Sequence, residues 1–94
     1  MAMFTIRVEL HGAESKHYDL LAELLAPAAI SNVVTADDGS RYRLPSGEYD
    51  WVGEATKEEV LDAIAAAADH TKLPYSILIS QATERIWANL PAAE

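Results

Sequence analysis

Hydrophobic and polar residues alternate strictly from Phe4 to His11, and this stretch carries the clearest β-strand signal in the chain. The spacing changes between Ser15 and Leu25, where apolar residues recur three and four positions apart. That spacing predicts an amphipathic helix, which Pro27 brings to an end because proline cannot continue the backbone hydrogen bonding. The chain therefore opens with a strand followed by a helix.

A β-hairpin is predicted in the middle of the chain. Residues 33–36 are rich in β-branched side chains, and residues 40–44 return as their partner after Asp37-Asp38-Gly39. Asp-Gly between two strand-like runs favours a tight turn, since glycine accepts a positive φ angle without strain. The stretch 46–55 contains two glycines and scattered aromatics, and it is predicted to be an extended loop.

The last part of the sequence predicts a second helix and two more strands. Thr56 and Glu59 form a capping-box sequence, which marks the start of an alanine-rich helix that can pack closely against a sheet. A fourth strand is predicted over residues 75–80, a turn over 81–84 and a short fifth strand over 85–90. The order of elements is strand, helix, hairpin, helix, hairpin.

This order is the split βαβ plan, so the sequence predicts an α+β, ferredoxin-like fold with β-α-β-β-α-β order plus the short fifth strand. Two helices would cover one face of an antiparallel sheet, and we call the other face the open face. The 94 residues suit a single domain, with residues 1–3 and 91–94 predicted to be disordered. In this plan the first and third strands are neighbours.

Charge and composition narrow the functional classes. The chain has 15 acidic and 7 basic residues, a net charge of −8, and no cysteine, which excludes disulfides and thiolate metal sites. The negative charge disfavours non-specific attraction to nucleic acid or anionic lipid, although a local basic patch can still make contacts. No stretch approaches the ~20 apolar residues that cross a bilayer. No secretory signal is visible, so a cytoplasmic location is expected.

The arginines are concentrated in the predicted strands rather than in the helices. Strand side chains alternate between two faces, and Arg7, Arg41 and Arg43 all fall at the polar parity that points toward the open face. They are therefore predicted to lie near one another, with Glu9 among them. Two interpretations stay open: a solvated surface with Glu–Arg pairs, or a phosphate-contacting surface that uses the planar arginine fork.

Large apolar residues near this face carry further predictions. Leu78 would lie on the open face if Ile77 and Ile79 point inward. An exposed apolar residue there indicates either a homodimer that forms through the sheet or packing of the fifth strand over it. Trp51 and Trp87 could stack on bases, but in a domain this small they are predicted to belong to the core or to an interface.

Glu9 and His11 are the strongest candidates for chemistry. They lie two positions apart on one strand, so their side chains point the same way and could act as general acid and base. His17, near the start of the first helix, could approach them, but the spacing matches no metal-ligand signature. No metal site and no cofactor are therefore predicted. Asp37 and Asp38 are assigned to turn chemistry rather than to a divalent ion.

Several segments resemble small bacterial proteins grouped with the GhoS-type antitoxins. They are the opening strand (4–11), the central turn and strand (37–45) followed by Glu48-Tyr49, and the ending (75–79 and 85–87). The resemblance spans most of the chain and implies a ferredoxin-like fold related in shape to the small CRISPR adaptation nucleases. The family's named member is an endoribonuclease that cleaves the messenger RNA of a membrane-lytic toxin. Ala26-Pro27-Ala28-Ala29 departs from the glycine-containing helix end expected there.

If the activity carries over, RNA would be cleaved on the open face. Arg7, Arg41 and Arg43 would hold phosphates and stabilise developing negative charge. Glu9 or His11 would move the proton of the 2′-hydroxyl.

The competing hypothesis is a non-enzymatic protein-binding module. It would be a dimeric regulator, or an inhibitor that occupies a basic protein surface by charge mimicry. Its motivation is the acidic residues of the helices, Glu14, Asp19, Glu23, Glu58, Glu59, Asp62 and Asp69. A small-molecule sensor dimer has no residue-level support.

Overall fold

The computed structural model describes residues 1–93 and has two helices with antiparallel sheets, so the predicted α+β class is confirmed. In chain order the elements are β1 (Ala2–Leu10), α1 (Ser15–Leu25), a 3₁₀ turn (Ala26–Ala28), β2 (Val33–Thr35), β3 (Arg41–Arg43), β4 (Glu48–Gly53), α2 (Lys57–Asp69) and β5 (Tyr75–Gln81). Both predicted helices are present. The strands predicted at residues 4–11, 33–36, 40–44 and 75–80 are also present, with bounds that differ by a few residues.

β1 is the central strand of a three-stranded antiparallel sheet whose order is β4-β1-β5. In its register, Ile6 lies opposite Tyr49 of β4 on one side and Ile79 of β5 on the other. β2 and β3 form a separate two-stranded sheet. A single antiparallel bridge, between Ser31 and Asp50, joins the chain just before β2 to β4.

The position beside β1 that was predicted for residues 40–44 is occupied by β4. This strand lies inside the segment 46–55, which was predicted to be a loop. The prediction that residues 40–44 lie beside the first strand is therefore wrong, because β3 pairs with β2 instead. Tyr49 and Trp51 are the signal for β4. They are two positions apart and join the helix-facing side of the sheet, where the Trp51 ring stacks on Phe4 with centroids 5.7 Å apart.

The core lies between the three-stranded sheet and the two helices. Alternate residues of β1 point into it, and the small alanines of α2 let that helix approach the sheet closely. Its buried members are Phe4, Ile6, Val8, Leu10, Leu21, Leu25, Ile30, Tyr49, Val60, Ile64, Ala67 and Ala68. Burial raises the pKa of the Tyr49 hydroxyl to about 12, since the phenolate would lose its hydration there.

The helix ends follow local hydrogen-bonding rules. At the start of α2 the Glu59 N–H donates to Thr56 Oγ1 (3.1 Å), and the Thr56 N–H donates to Glu59 Oε1 (2.9 Å), which confirms the predicted capping box. After α1, Ala29 adopts the left-handed conformation (φ 60°) that glycine usually provides. Within residues 1–93, neither helix is long and apolar enough to cross a membrane.

Residues 82–93, which we call the C-terminal segment, do not form the fifth strand predicted over 85–90. The segment leaves β5 and ends beside β3, where an antiparallel bridge joins Tyr42 to Ala92. The chain ends also differ from the expected disorder: Ala2 and Met3 belong to β1, and the backbone of residues 91–93 bonds to β3. Glu94, the last residue of the segment predicted to be disordered, lies outside the described residues.

Gly47 offers a test of the turn that leads into β4. Its φ angle is +85°, and a Cβ atom there would lie 2.5 Å from the Val8 carbonyl oxygen. Gly39 has a similar φ of +89° but open space around it, so Gly39→Ala isolates the backbone strain. We expect Gly39→Ala to lower the free energy of unfolding by about 1–2 kcal/mol. Gly47→Ala should lower it by at least ~2 kcal/mol more because of the clash.

Urea unfolding followed by circular dichroism measures both variants. Equal losses of stability would show that the close approach of Gly47 to Val8 does not matter for the fold.

Candidate functional site

The open face is the side of the three-stranded sheet that turns away from the helices. Its members are Thr5, Arg7 and Glu9 of β1, Glu48 and Asp50 of β4, and Ser76, Leu78 and Ser80 of β5. The expected outward parity of Arg7, Glu9 and Leu78 is thus observed, and all three side chains are exposed. The face mixes charged, hydroxyl and apolar groups.

The C-terminal segment covers one half of the open face. Arg85 Nη1 lies 2.6 Å from Asp50 Oδ1, and the two side chains are only 20% and 16% exposed. Because Asp50 lies on β4 and the segment starts at β5, the chain must cross β1 to make this contact. Thr5 lies beneath the crossing, where its hydroxyl is buried and has no hydrogen-bond partner among residues 1–93. The C-terminal segment packs over the sheet at Thr5 and Asp50, but it is not a strand and Leu78 stays 64% exposed, so neither of the two alternatives raised by Leu78 is shown.

Aromatic and aliphatic side chains join the C-terminal segment to the β2–β3 hairpin. The rings of Tyr42 and Trp87 lie 5.8 Å apart, and Val34 is buried but does not belong to the main core. Leu44 lines the same cavity as Val34 and Trp87, with a volume of about 340 Å³. The alternation that predicts Arg41 and Arg43 on the open face also predicts Tyr42 and Leu44 facing the helices. That prediction is wrong, because both contact the second apolar surface that the C-terminal segment provides. Trp87 belongs to this interface, as predicted.

The three arginines are not neighbours, so the predicted cluster of Arg7, Arg41 and Arg43 does not form. Arg7 lies opposite Glu48 and Leu78 in the three-stranded sheet, and its Nη1 is 3.8 Å from Glu48 Oε2. The other two arginines lie on β3, which pairs with β2. The cause is β4, which takes the place beside β1 that the sequence analysis assigned to β3.

Arg41 and Arg43 form a separate exposed pair. Their backbones are held by the C-terminal segment: Ala93 N–H donates to Arg41 O (3.0 Å) and Arg43 N–H donates to Pro91 O (2.8 Å). Both side chains are exposed, and within residues 1–93 neither makes an ion pair. By contrast, Arg7 and Arg85 each lie beside a carboxylate. Among residues 1–93, Arg41 and Arg43 are thus the arginines without a neighbouring carboxylate, and β3 brings the two together.

Ser76, which sequence reasoning missed, lies next to both Glu9 and His11. Ser76 lies directly opposite Glu9 in the β1–β5 register, and its Oγ is 2.9 Å from His11 Nε2. The three side chains are exposed at the uncovered end of the open face. His11 and Ser76 are 65 positions apart in the chain, so only the pairing of β1 with β5 brings them together.

The remaining candidates have structural roles. His17 Nδ1 accepts the Glu14 N–H at the start of α1 (2.9 Å), so it caps that helix. No group of three metal-binding side chains occurs among residues 1–93. Asp38 Oδ1 accepts the Ser40 N–H (2.9 Å), and this hydrogen bond holds the pKa of the Asp38 carboxyl below its ordinary value. That contact is the predicted turn chemistry. Trp51 belongs to the core margin.

Comparison with known proteins adds no relative. No protein-family model matches the chain, and no curated protein matches it. Functional inference therefore depends on the geometry and on the sequence resemblance described above.

The Asp50–Arg85 contact can be tested by a double-mutant cycle, with Arg7–Glu48 as the matched control. We expect a coupling free energy of about 1–3 kcal/mol from Asp50→Asn with Arg85→Gln, because both groups are shielded from water. The same changes at Glu48 and Arg7 should give less than about 1 kcal/mol, since Arg7 is 66% exposed.

Urea unfolding of the four variants in each cycle provides the two values. Coupling of the same small size in both cycles would mean that Arg85 does not anchor the C-terminal segment.

Proposed function

We propose that this protein is an RNA-binding protein with a function like that of the GhoS-type antitoxins, and that Arg41 and Arg43 are its main phosphate contacts. The observation that carries the proposal is the exposed, unpaired state of these two guanidinium groups within residues 1–93. On a chain with a net charge of −8, such a pair provides a local site for an anion. An RNA target also implies that the protein works in the cytoplasm.

The geometry of β3 suits contact with an extended nucleic-acid backbone. Residues two apart on a strand point the same way and are separated by about 6.6–6.8 Å. Arginine offers a planar fork of donors that bonds phosphate oxygens in pairs. Because β2 flanks β3 on one side and residues 91–93 flank it on the other, the backbone under both arginines is held in place. Less conformational freedom is then lost when RNA binds.

The proposal includes a ferredoxin-like fold. Three observations support it: the strand order β4-β1-β5, the two helices, and the Ser31–Asp50 bridge. The bridge places the β2 region beside β4, so the strand order across the sheet becomes β5-β1-β4-β2. That order is the one expected of the split βαβ plan. β3 would then be an additional strand at the outer margin, and this margin carries Arg41 and Arg43.

Cleavage is the second part of the proposal. Arg7, Glu9 and His11 follow one another at intervals of two residues along β1, on the half of the open face that the C-terminal segment leaves uncovered. Arg7 would stabilise charge that develops on the phosphate. One of Glu9 and His11 would take the proton of the RNA 2′-hydroxyl as it attacks phosphorus, and the other would protonate the 5′-oxygen as its bond to phosphorus breaks. The Ser76 hydroxyl would orient the His11 ring. None of these roles requires a metal ion.

The chain connection between β3 and β4 limits how far Arg43 can lie from the end of β1 that carries Glu9. The Gly47 carbonyl oxygen accepts the Val8 N–H, and Gly47 is only four positions from Arg43 in the chain, a span of at most about 14 Å. One RNA strand could therefore contact β3 and reach the end of β1 where Glu9 lies. This arrangement would separate the binding residues from the cleaving residues.

A second candidate function is a non-enzymatic module that binds a basic protein. The observation that favours it is the exposure of acidic side chains on both helices, Asp19, Glu23, Glu58, Glu59 and Asp62. Charge of one sign on one side of a small domain steers a partner of opposite charge. Substitutions can distinguish the two functions, because RNA would contact arginines of this chain and a basic protein would contact its acidic residues.

The binding proposal predicts the effect of removing the two arginines. Arg41→Gln/Arg43→Gln should weaken binding of single-stranded RNA at least about tenfold, since two charge-assisted contacts are lost. Each phosphate contact adds about 0.7 to the salt dependence of binding, so the slope of log affinity against log salt should become shallower by about 1.4. Gel shifts over a salt series measure both quantities.

Lys57→Gln/Lys72→Gln is the matched control, because it removes the same positive charge from two exposed side chains elsewhere. It should leave affinity nearly unchanged. Equal effects of the two double variants would reduce the interaction to overall charge and overturn the assignment to β3. Tight binding to a basic protein with no RNA binding would support the second candidate.

The cleavage proposal predicts that Glu9→Gln and His11→Gln lower the rate of RNA cleavage at least about 100-fold, because acid–base catalysis contributes on that scale. Both variants should still bind RNA. Glu23→Gln and His70→Gln make the same chemical changes at exposed positions on or beside the helices. Purified proteins are incubated with mixed RNA, with and without Mg²⁺. Undiminished cleavage by the Glu9 and His11 variants would exclude these residues from catalysis.

A further inference from the structure

β5 presents unpaired backbone groups at the outer margin of the three-stranded sheet. The His11 N–H donates to Pro74 O, and the Ala82 N–H donates to Met3 O. Together with the register, these two bonds show the hydrogen-bonding phase, that is, which residues of β5 bond to β1 and which point outward. In that phase, Ser76, Leu78 and Ser80 direct their N–H and C=O groups to β1. The groups that point outward belong to Tyr75, Ile77, Ile79 and Gln81.

This margin lacks the features that normally prevent strand pairing between molecules. The segment Tyr75–Gln81 contains no charged residue and no proline, and it is regular over seven residues. The margin at β3 differs, because residues 91–93 already bond to its backbone. The β4 margin of the three-stranded sheet is met by Ser31 at Asp50, whereas within residues 1–93 no backbone hydrogen bond reaches the outer margin of β5.

The sequence of β5 is symmetric about its central residue. Residues 76–80 read Ser-Ile-Leu-Ile-Ser in both directions. Two antiparallel copies related by a two-fold axis at Leu78 would place each Ile77 opposite an Ile79 and each Ser76 opposite a Ser80. The pairs of Ile77 with Ile79 are the positions whose backbone groups point outward, so the hydrogen-bonding phase and the side-chain symmetry agree.

We propose that a second copy of this chain binds at the β5 margin and extends the sheet to six strands across a two-fold axis at Leu78. Leu78 is 64% exposed and would meet its counterpart on the open face. On the helix side, Leu61 is 41% exposed and lines a groove of about 210 Å³ together with Ile77 and Ile79. The pairing would cover both leucines, which adds apolar burial to the backbone hydrogen bonds.

The charge of the chain gives this dimer an unusual salt dependence. Each copy has a net charge of −8, and no charged side chain of β5 takes part in the pairing. Repulsion between the copies should therefore weaken the dimer at low ionic strength, and added salt should strengthen it. RNA binding through Arg41 and Arg43 has the opposite salt dependence, so the dimer and the proposed function can fail independently.

The experiment is sedimentation equilibrium of the full chain over a concentration series at about 20 mM and about 300 mM NaCl. We expect a monomer–dimer equilibrium that is tighter at the higher salt concentration. Leu78→Lys should raise the dissociation constant at least about tenfold, because two like charges would then face each other. Ile86→Lys, at a residue that is 96% exposed and away from β5, makes the same change and should leave the constant within about twofold.

The backbone contacts and the register have their own readouts. Amide exchange at Ile77 and Ile79 should slow as the protein concentration rises, whereas exchange at Ser76 and Leu78, which bond to β1, should stay slow throughout. The chain has no cysteine, so Leu78→Cys adds one thiol, which should form a disulfide between copies under mild oxidation. Ile86→Cys should not.

A protein that stays monomeric at all concentrations and both salt conditions would overturn the proposal. So would a dimer in which the Ile77 and Ile79 amides exchange as fast as free ones. If the Leu78→Cys variant dimerises but forms no disulfide between copies, the two-fold axis does not lie at Leu78.

Discussion

The ion pair between Asp50 and Arg85 links the three-stranded sheet to the C-terminal segment. Asp50 lies on β4 and takes part in the bridge to Ser31, so the same residue contacts the β2 region by its backbone and the C-terminal segment by its carboxylate. Once Arg85 is fixed there, Trp87 reaches Tyr42 and residues 91–93 bond to β3. The backbone that carries Arg41 and Arg43 is thus bonded to a segment that Asp50 holds on the open face.

Local patterns predicted much of the fold. The alternation in residues 4–11, the Asp-Gly turn and the Thr56–Glu59 capping box each act over a few positions, and each has the predicted structure. β4 was missed because glycines at both ends of a six-residue strand favour a loop, although Tyr49 and Trp51 keep the period of two. A strand of that length carries too few positions for its periodicity to outweigh its flanks.

The candidate site was less predictable because its contacts join distant parts of the sequence. Asp50 and Arg85 are 35 positions apart, and His11 and Ser76 are 65 apart. The parity of Arg7 was correct, but its neighbours depended on which strand lies beside β1. Pairing between strands is decided by the whole arrangement of apolar faces, and the surface that the C-terminal segment offers to Tyr42 and Val34 is visible only after the chain has folded.

The bonding of residues 91–93 to β3 has a consequence for the order of folding. β3 is synthesised about fifty residues before the backbone that completes its second row of hydrogen bonds. β2 and β3 can pair as a hairpin before residues 91–93 are made, and a two-stranded hairpin is marginally stable in water on its own. The margin that carries Arg41 and Arg43 would take its final shape only after residue 93 has left the ribosome. Until then, a nascent chain would expose the outer backbone groups of β3.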